Sequence, residues 1–321
     1  MVKVDTLCVL TRFSPAIALL AAHCILIYPA GIRGGGYVVQ CHWASDDECM
    51  QRVYYYGFSP ATFSPATAYT LVTHMFVHGN AEHVLGNVFS LSSTLLEFGG
   101  SGMRESIEET RSTVVLRRTL GSFLVMIVGG ALGGVGGQLF YNDSKLLKYK
   151  IDAARLKGSN ALSGAAGRLA EAASSVAPLS TTASTGGFFS RAVEKVAAPI
   201  RSWKADTVVK IQEQVNENSF MCGASAGVCA LSGFNLTYYK RPVTSVAIVL
   251  PEIISLSVDA ARFVSAVFSG ENARDRGSSP SFYSLLPGQT VGHAAHVGGF
   301  VAGCILGKIW SYVSPRREDK N

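Results

Sequence analysis

LGSFLVMIVGGALGGVGGQLF, residues 120–140, carries no charge in 21 positions. The hydrocarbon core of a bilayer is about 30 Å thick, and a helix needs about 20 mostly apolar residues to cross it. This stretch meets that requirement. Its glycines at 129, 130, 133, 134, 136 and 137 leave room for close packing against other helices. The segment therefore predicts a helical membrane protein, and the composition agrees. Of the 321 residues 48% are hydrophobic and only 16% charged, and mean hydropathy is +0.26; soluble domains carry about a quarter charged residues. The net charge of +6 is spread along the chain. No Lys/Arg cluster interleaves with aromatics, which argues against a nucleic-acid interface, and the charge is expected to face lipid headgroups.

Five further segments approach membrane-spanning length: roughly 8–29, 82–99, 221–239, 243–268 and 291–313. With 116–140 they predict an all-α bundle of six transmembrane helices. The weakest is 243–268, interrupted by Pro251, Glu252 and Asp259. Basic residues set the orientation. Arg104, Arg111, Arg117 and Arg118 precede the third segment, Lys240 and Arg241 separate the fourth from the fifth, and Arg316, Arg317 and Lys320 lie in the tail. These regions and both chain ends are expected on the cytosolic side. Loops 30–81, 141–220 and 269–290 then fall on the other. The 141–220 insertion is also basic, but long loops translocate largely regardless of charge.

The chain thus divides into 1–140, three helices with a polar first loop; 141–220, an insertion; 221–313, three more helices; and 314–321, a polar tail. Within the insertion, 158–188 is rich in Ala, Ser, Gly and Thr and reads as flexible low-complexity chain. Residues 189–217 recover a helical period through Val193, Val196, Ile200, Trp203 and Val208. That pattern suits either a helix on the membrane surface or a solvated insertion. Of seven cysteines, Cys8, Cys24, Cys222, Cys229 and Cys304 fall in apolar segments. Cys41 and Cys49 share a polar loop, and a disulfide between them requires that loop to lie outside the cytosol. The first apolar stretch lacks a convincing cleavage site after it and reads as a retained helix.

In this topology the second, fourth and sixth helices all run inward, and each carries polar residues near its outer end. The second has His83 and Asn87, spaced i,i+4 on one face; the fourth has Ser225; the sixth has His296. At about 1.5 Å per residue these reach a similar shallow depth. Gly299, Gly303 and Gly307 continue the His296 face; Cys229, Ser232 and Gly233 continue that of Ser225. Small residues let membrane helices approach closely, so the two stripes are expected to meet and bring hydroxyl and imidazole within hydrogen-bond reach. A serine is a poor nucleophile until a neutral imidazole takes its proton; the imidazole then returns a proton to the leaving amine. The oxyanion formed needs donors, which His83, Asn87 and the Ser225 N–H can supply. No acidic third member stands at matching depth, so the expectation is a Ser225–His296 dyad. His74 and His78 lack the HExxH context of a zinc site and are read as bracing their loop. No metal or other cofactor is expected.

These residues resemble the rhomboid family of intramembrane serine proteases. GASAG, 223–227, is similar to the family's nucleophile motif; AHVGGFVAG, 295–303, to its His-bearing last helix with close-packing glycines; HMFVHGNAEHVLGN, 74–87, to its His-rich second-helix motif, whose last His and Asn are oxyanion donors. Glu97, in LLEFGG, resembles a family residue that ties helices together. The resemblance covers about 70–140, 221–268 and 289–313, and the insertion has no counterpart. It implies six helices around a water-filled cavity open to the outer side, and hydrolysis of a peptide bond in or near the transmembrane helix of a membrane-protein substrate. Gly223, Gly299 and Gly303 would be close-packing positions.

Three departures stand out. Ala226 replaces the family's glycine after the nucleophile. Cys229 stands where a tyrosine commonly stacks on the catalytic imidazole. The family's Trp-Arg pair in the first loop has only Arg52 and Tyr54 to Tyr56 as counterparts. The alternative function is that of a catalytically inactive relative that binds and routes transmembrane clients. Absence of a long mitochondrial presequence favours the secretory pathway or plasma membrane. Asn142-Asp143-Ser144 forms a glycosylation sequon too close to the third helix for use. Substrate identity and oligomeric state are not legible.

Overall fold

The computed structural model describes residues 6–27, 47–78, 81–98, 111–174, parts of 206–216, 220–269 and 292–314. Among them the chain is mostly helical and has no strand; its one isolated β-bridge joins Phe58 to Met221. The helices are α1 (Thr6–Ile27), α2 (Asp47–Tyr56), α3 (Ala81–Glu97), α4 (Ser112–Val128), α5 (Val135–Ser174), α6 (Ser225–Phe234), α7 (Pro242–Ser269) and α8 (His293–Val313). Short single turns link Pro60 to Phe76. A π-helical turn, Gly129–Gly134, joins α4 to α5, and a second, Asn235–Tyr239, extends α6. Each of the six apolar segments is therefore helical over most of its described residues. Two helices, over Thr6–Leu26 and Ser112–Arg155, are long and apolar enough to cross a membrane. The Cys41–Cys49 pairing, loop 269–290 and the charged tail lie outside the described residues.

The chain forms two compact units, residues 1–139 with 220–321, and residues 140–219. In the smaller unit, Lys150 pairs with Glu213 and Lys157 with Asp206, both at 2.8 Å. Each helix contributes residues two turns apart, and the pairs run in opposite order, so the two stretches lie antiparallel. These half-exposed pairs set register more than stability. The expectation of flexible chain over 158–188 is corrected as far as Ser174, because α5 continues to that residue. Alanine, abundant there, is the strongest helix former, and composition alone hid the helix.

In the larger unit α6 is central. Every residue from Ala226 to Phe234 is buried, as suits a helix of small and apolar residues on all sides. Its core is shared with Ala16 and Leu19 of α1, Leu91 and Leu95 of α3, and Val125 and Met126 of α4. α8 packs on α6 through its glycine stripe. Gly299 faces the Ala226 backbone, Gly303 the Ala230 backbone, and Gly307 the Thr237 hydroxyl. The α6 face that receives the stripe is Ala226, Ala230 and Gly233, one position round from the expected Ser225 and Cys229. Ser225 is left at the edge of the contact, beside the neighbouring helix rather than beneath it.

Candidate active site

Ser225 is the first residue of α6, partly exposed. Helix geometry leaves the first backbone N–H groups of α6 without partners inside the helix. The turn that delivers Ser225 is fixed by loop 70–78. Gly223 N–H donates to the His74 carbonyl at 2.8 Å, and Ala224 N–H donates to His78 Nε2 at 3.2 Å. His78 must be neutral to accept there, and its complete burial holds it well below the ordinary imidazole range. Burial likewise lowers His74 to about 4; its Nδ1–H donates to the Thr70 carbonyl at 2.9 Å. Both histidines hold the loop against the turn.

Gly223 has φ +109°, a conformation that L side chains rarely adopt. A Cβ there would also sit 2.6 Å from His83 Cε1, 2.9 Å from His83 Nε2 and 3.6 Å from Asn87 Nδ2. Glycine is thus required twice over, and its bare backbone lets the two α3 side chains approach the residues just before Ser225. Asn87 is buried, and its Nδ2 has no hydrogen-bond partner among the described residues. A buried donor left unpaired costs about 1–3 kcal/mol, and such a donor is available to an acceptor that a ligand brings. The expected donors His83 and Asn87 therefore stand together, next to the turn that precedes Ser225. Glu97 closes α3 at its other end, half-buried and away from these groups.

His296, buried on the first turn of α8, places Nε2 2.6 Å from Ser225 Oγ. With Nδ1 protonated, the hydroxyl donates to Nε2, the arrangement a general base requires. The structure adds a residue to the expected dyad. Glu252 Oε2 of α7 lies 2.9 Å from His296 Nδ1 and 2.5 Å from His293 Nδ1. The His293 contact is a hydrogen bond. The His296 contact is close enough for an ion pair but lies off the axis of an N–H bond, and Nδ1 has no aligned hydrogen-bond partner. The expectation that no acid stands at this depth is therefore corrected. The carboxylate comes from α7, which follows α6 in the chain after the Lys240–Arg241 turn. Glu252 is ten residues up α7, about 15 Å, while α6 with its π turn spans about 21 Å, so the carboxylate climbs to within about 6 Å of the Ser225 level. An acid within an apolar run, preceded by Pro251, was the available signal.

Glu252, His293 and His296 present ligand atoms within 4.8 Å of one another, the donor set among the described residues able to hold a divalent cation. The imidazole–carboxylate contacts account for the same arrangement without one. His74 and His78 are each engaged with backbone. Comparison with family models, with curated proteins and with solved structures gives no match for this chain.

Proposed function

We propose that this chain is a membrane-embedded serine endopeptidase of the rhomboid type, in which Ser225 attacks a peptide bond in or near the transmembrane helix of a substrate protein. The observation that carries the reading is the 2.6 Å contact between Ser225 Oγ and His296 Nε2, at the mouth of a helix buried everywhere below it. Attack transfers the hydroxyl proton to Nε2 and forms the Oγ–C bond. The tetrahedral oxyanion is met by Asn87, His83 and backbone N–H groups at the start of α6. Collapse breaks the C–N bond, and the imidazolium returns its proton to the leaving amine. Water, activated by the same Nε2, then releases the acyl group and restores Ser225.

The membrane part of the reading rests on how side chains are distributed. Large apolar residues point outward on five helices: Ile17 and Ile25 on α1, Phe89 on α3, Leu120 and Leu124 on α4, Ile253 and Ile254 on α7, Ile305 and Ile309 on α8. Arg12, His23, Asn87, Thr119, Ser232, Asn235 and His296 are buried instead. An apolar exterior, with polar side chains sheltered inside among the apolar core, is expected of a bundle whose solvent is lipid. The six helices would span the bilayer with both chain ends cytosolic and Ser225 near the outer face.

Labelling of the detergent-purified chain with a fluorophosphonate tests the reading. The wild type is expected to label, and Ser225→Ala and His296→Ala to abolish the signal while remaining folded. A folded wild type that resists the probe would overturn it in favour of a binder of transmembrane clients.

A further inference from the structure

We infer that Glu252 is a positioning residue for the proposed nucleophile pair, holding the His296 ring so that Nε2 faces Ser225 as an acceptor. This rests on the hydrolase reading and deepens it from a dyad to a three-member relay. The carboxylate is placed for the task. It comes from α7, a helix that carries neither Ser225 nor His296, and approaches His296 from the nitrogen opposite the serine, at 2.9 Å. It is mostly buried, at 14% exposure, where an unpaired charge would be costly and a paired one acts in a weak dielectric. Its second partner, His293, is one turn before His296 on α8 and donates to the same oxygen at 2.5 Å. The carboxylate is thereby held by His293 while it faces His296, so the acid itself is oriented. The groups that face His296 are Ser225 from α6, His83 from α3, Glu252 from α7 and His293 from its own helix.

The sequence of α6 makes room for this. Cys229, one turn below Ser225, is buried and lies within electrostatic reach of the Glu252 carboxylate. A small side chain at that position leaves the buried space beside the carboxylate to the thiol alone, and Cys229→Tyr would crowd it. The physical effect is on the tautomer. A carboxylate beside Nδ1 keeps the ring proton there and leaves the Nε2 lone pair for the serine. An amide in its place can donate to Nδ1 and put the ring proton on Nε2, which disables the base while the fold survives.

The test uses the full chain in detergent and reads two quantities. Fluorophosphonate labelling gives the rate at saturation, kinact, and the concentration dependence, KI. Selective 15N-histidine spectra give the tautomer of His296. Glu252→Gln is expected to lower kinact by roughly 10²–10⁴-fold with KI unchanged, and to move the His296 proton from Nδ1 towards Nε2. Glu252→Asp is expected to recover much of the rate, and Cys229→Tyr to slow labelling as Glu252→Gln does. A Glu252→Gln variant that labels within a few-fold of wild type overturns the inference. So does a slow variant with an unchanged tautomer and no rescue by aspartate, which would be a merely structural loss. An unlabelled wild type defeats the hydrolase reading instead, and the 15N spectra then decide alone whether the carboxylate holds the ring.

Discussion

Gly303→Ala probes the distance on which the site depends. Gly303 lies on α8 against the α6 backbone. A Cβ there would stand 2.6 Å from Ala230 C and 2.8 Å from Ala230 Cα, and closer still to Ala230 O. Carbon atoms rest at about 3.5–4.0 Å, so the two helices must part by about 1 Å. No flexible side chain can yield, because the obstacle is backbone. His296 is two turns from Gly303 on the same helix, and its contact with Ser225 is 2.6 Å. Adding the displacement gives about 3.6 Å, beyond the reach of a hydrogen bond. Overpacking of this kind costs about 1–3 kcal/mol, which leaves the protein folded, whereas loss of general-base contact slows chemistry by about 10²–10⁴-fold. Activity should therefore fall far more than stability. The assay is the fluorophosphonate labelling rate set beside the melting temperature, with Gly136→Ala as control, since a Cβ at 136 meets nothing within 4 Å. Gly303→Ala labelled at the control's rate would refute the claim that backbone contact between α6 and α8 sets the Ser225–His296 distance.

Asn87→Ala should lower the labelling rate by about 10²–10³-fold, the usual loss for one oxyanion donor, and leave melting nearly unchanged because Nδ2 makes no hydrogen bond to lose; a large fall in melting temperature with unaltered labelling would count against the donor role. Gly223→Ala should damage both measurements, since φ +109° and the His83 ring each exclude a side chain; a variant with wild-type melting would show that the turn relaxes freely. Stability should fall on acidification: His74 is held at about 4 against 6.5 unfolded, so the unfolded chain binds the extra proton first, and stability present above about 6.5 is lost as pH falls through about 4. His78 adds the same sign. Melting followed from pH 8 to 4 checks this, and a His74→Gln variant with an equally steep decline would assign the effect elsewhere.

What the sequence disclosed follows from which physical patterns survive in one dimension. The α8 stripe of Gly299, Gly303 and Gly307 repeats every four residues and so must share a helix face. The α6 partner face was not legible in the same way, because almost every residue from Gly223 to Gly233 is small and several stripes are equally plausible. The convergence of His83 and Asn87 on the nucleophile turn was legible, since i,i+4 spacing put both on one side of α3. Glu252 was visible as an anomaly but not as a partner: its depth depends on α7 running against its neighbours and on the length added to α6 by Asn235–Tyr239. The α5 extension to Ser174 escaped for a different reason. Alanine and serine lower apparent complexity whether or not a helix forms, so composition could not distinguish the cases.

The glycines of 129–137 show why the geometry of this site is a matter of backbones. The π turn Gly129–Gly134 widens the helix where it passes both partners of the pair. On one side Gly130 lies against Gly227, 3.2 Å from where a Cβ would be, and Gly134 against Ala226, 2.6 Å from it. On the other, Gly133 and Gly137 lie against Gly298, at 3.1 Å to its carbonyl carbon and 2.9 Å to its Cα. Ala226 and Gly227 follow Ser225, and Gly298 follows His296 by two residues. One helix thus seats both elements through glycine backbone set against the main chain of Gly227 and Gly298 and the short side chains of Ala226 and Ala302. Side chains can change rotamer, but main-chain contacts of this kind can adjust only by moving a whole helix. The Ser225–His296 distance therefore inherits the rigidity of three packed helices. This accounts for the placing of Ser225 and His296 at helix N-termini beside the tightest contacts, where small errors of position are hardest to make.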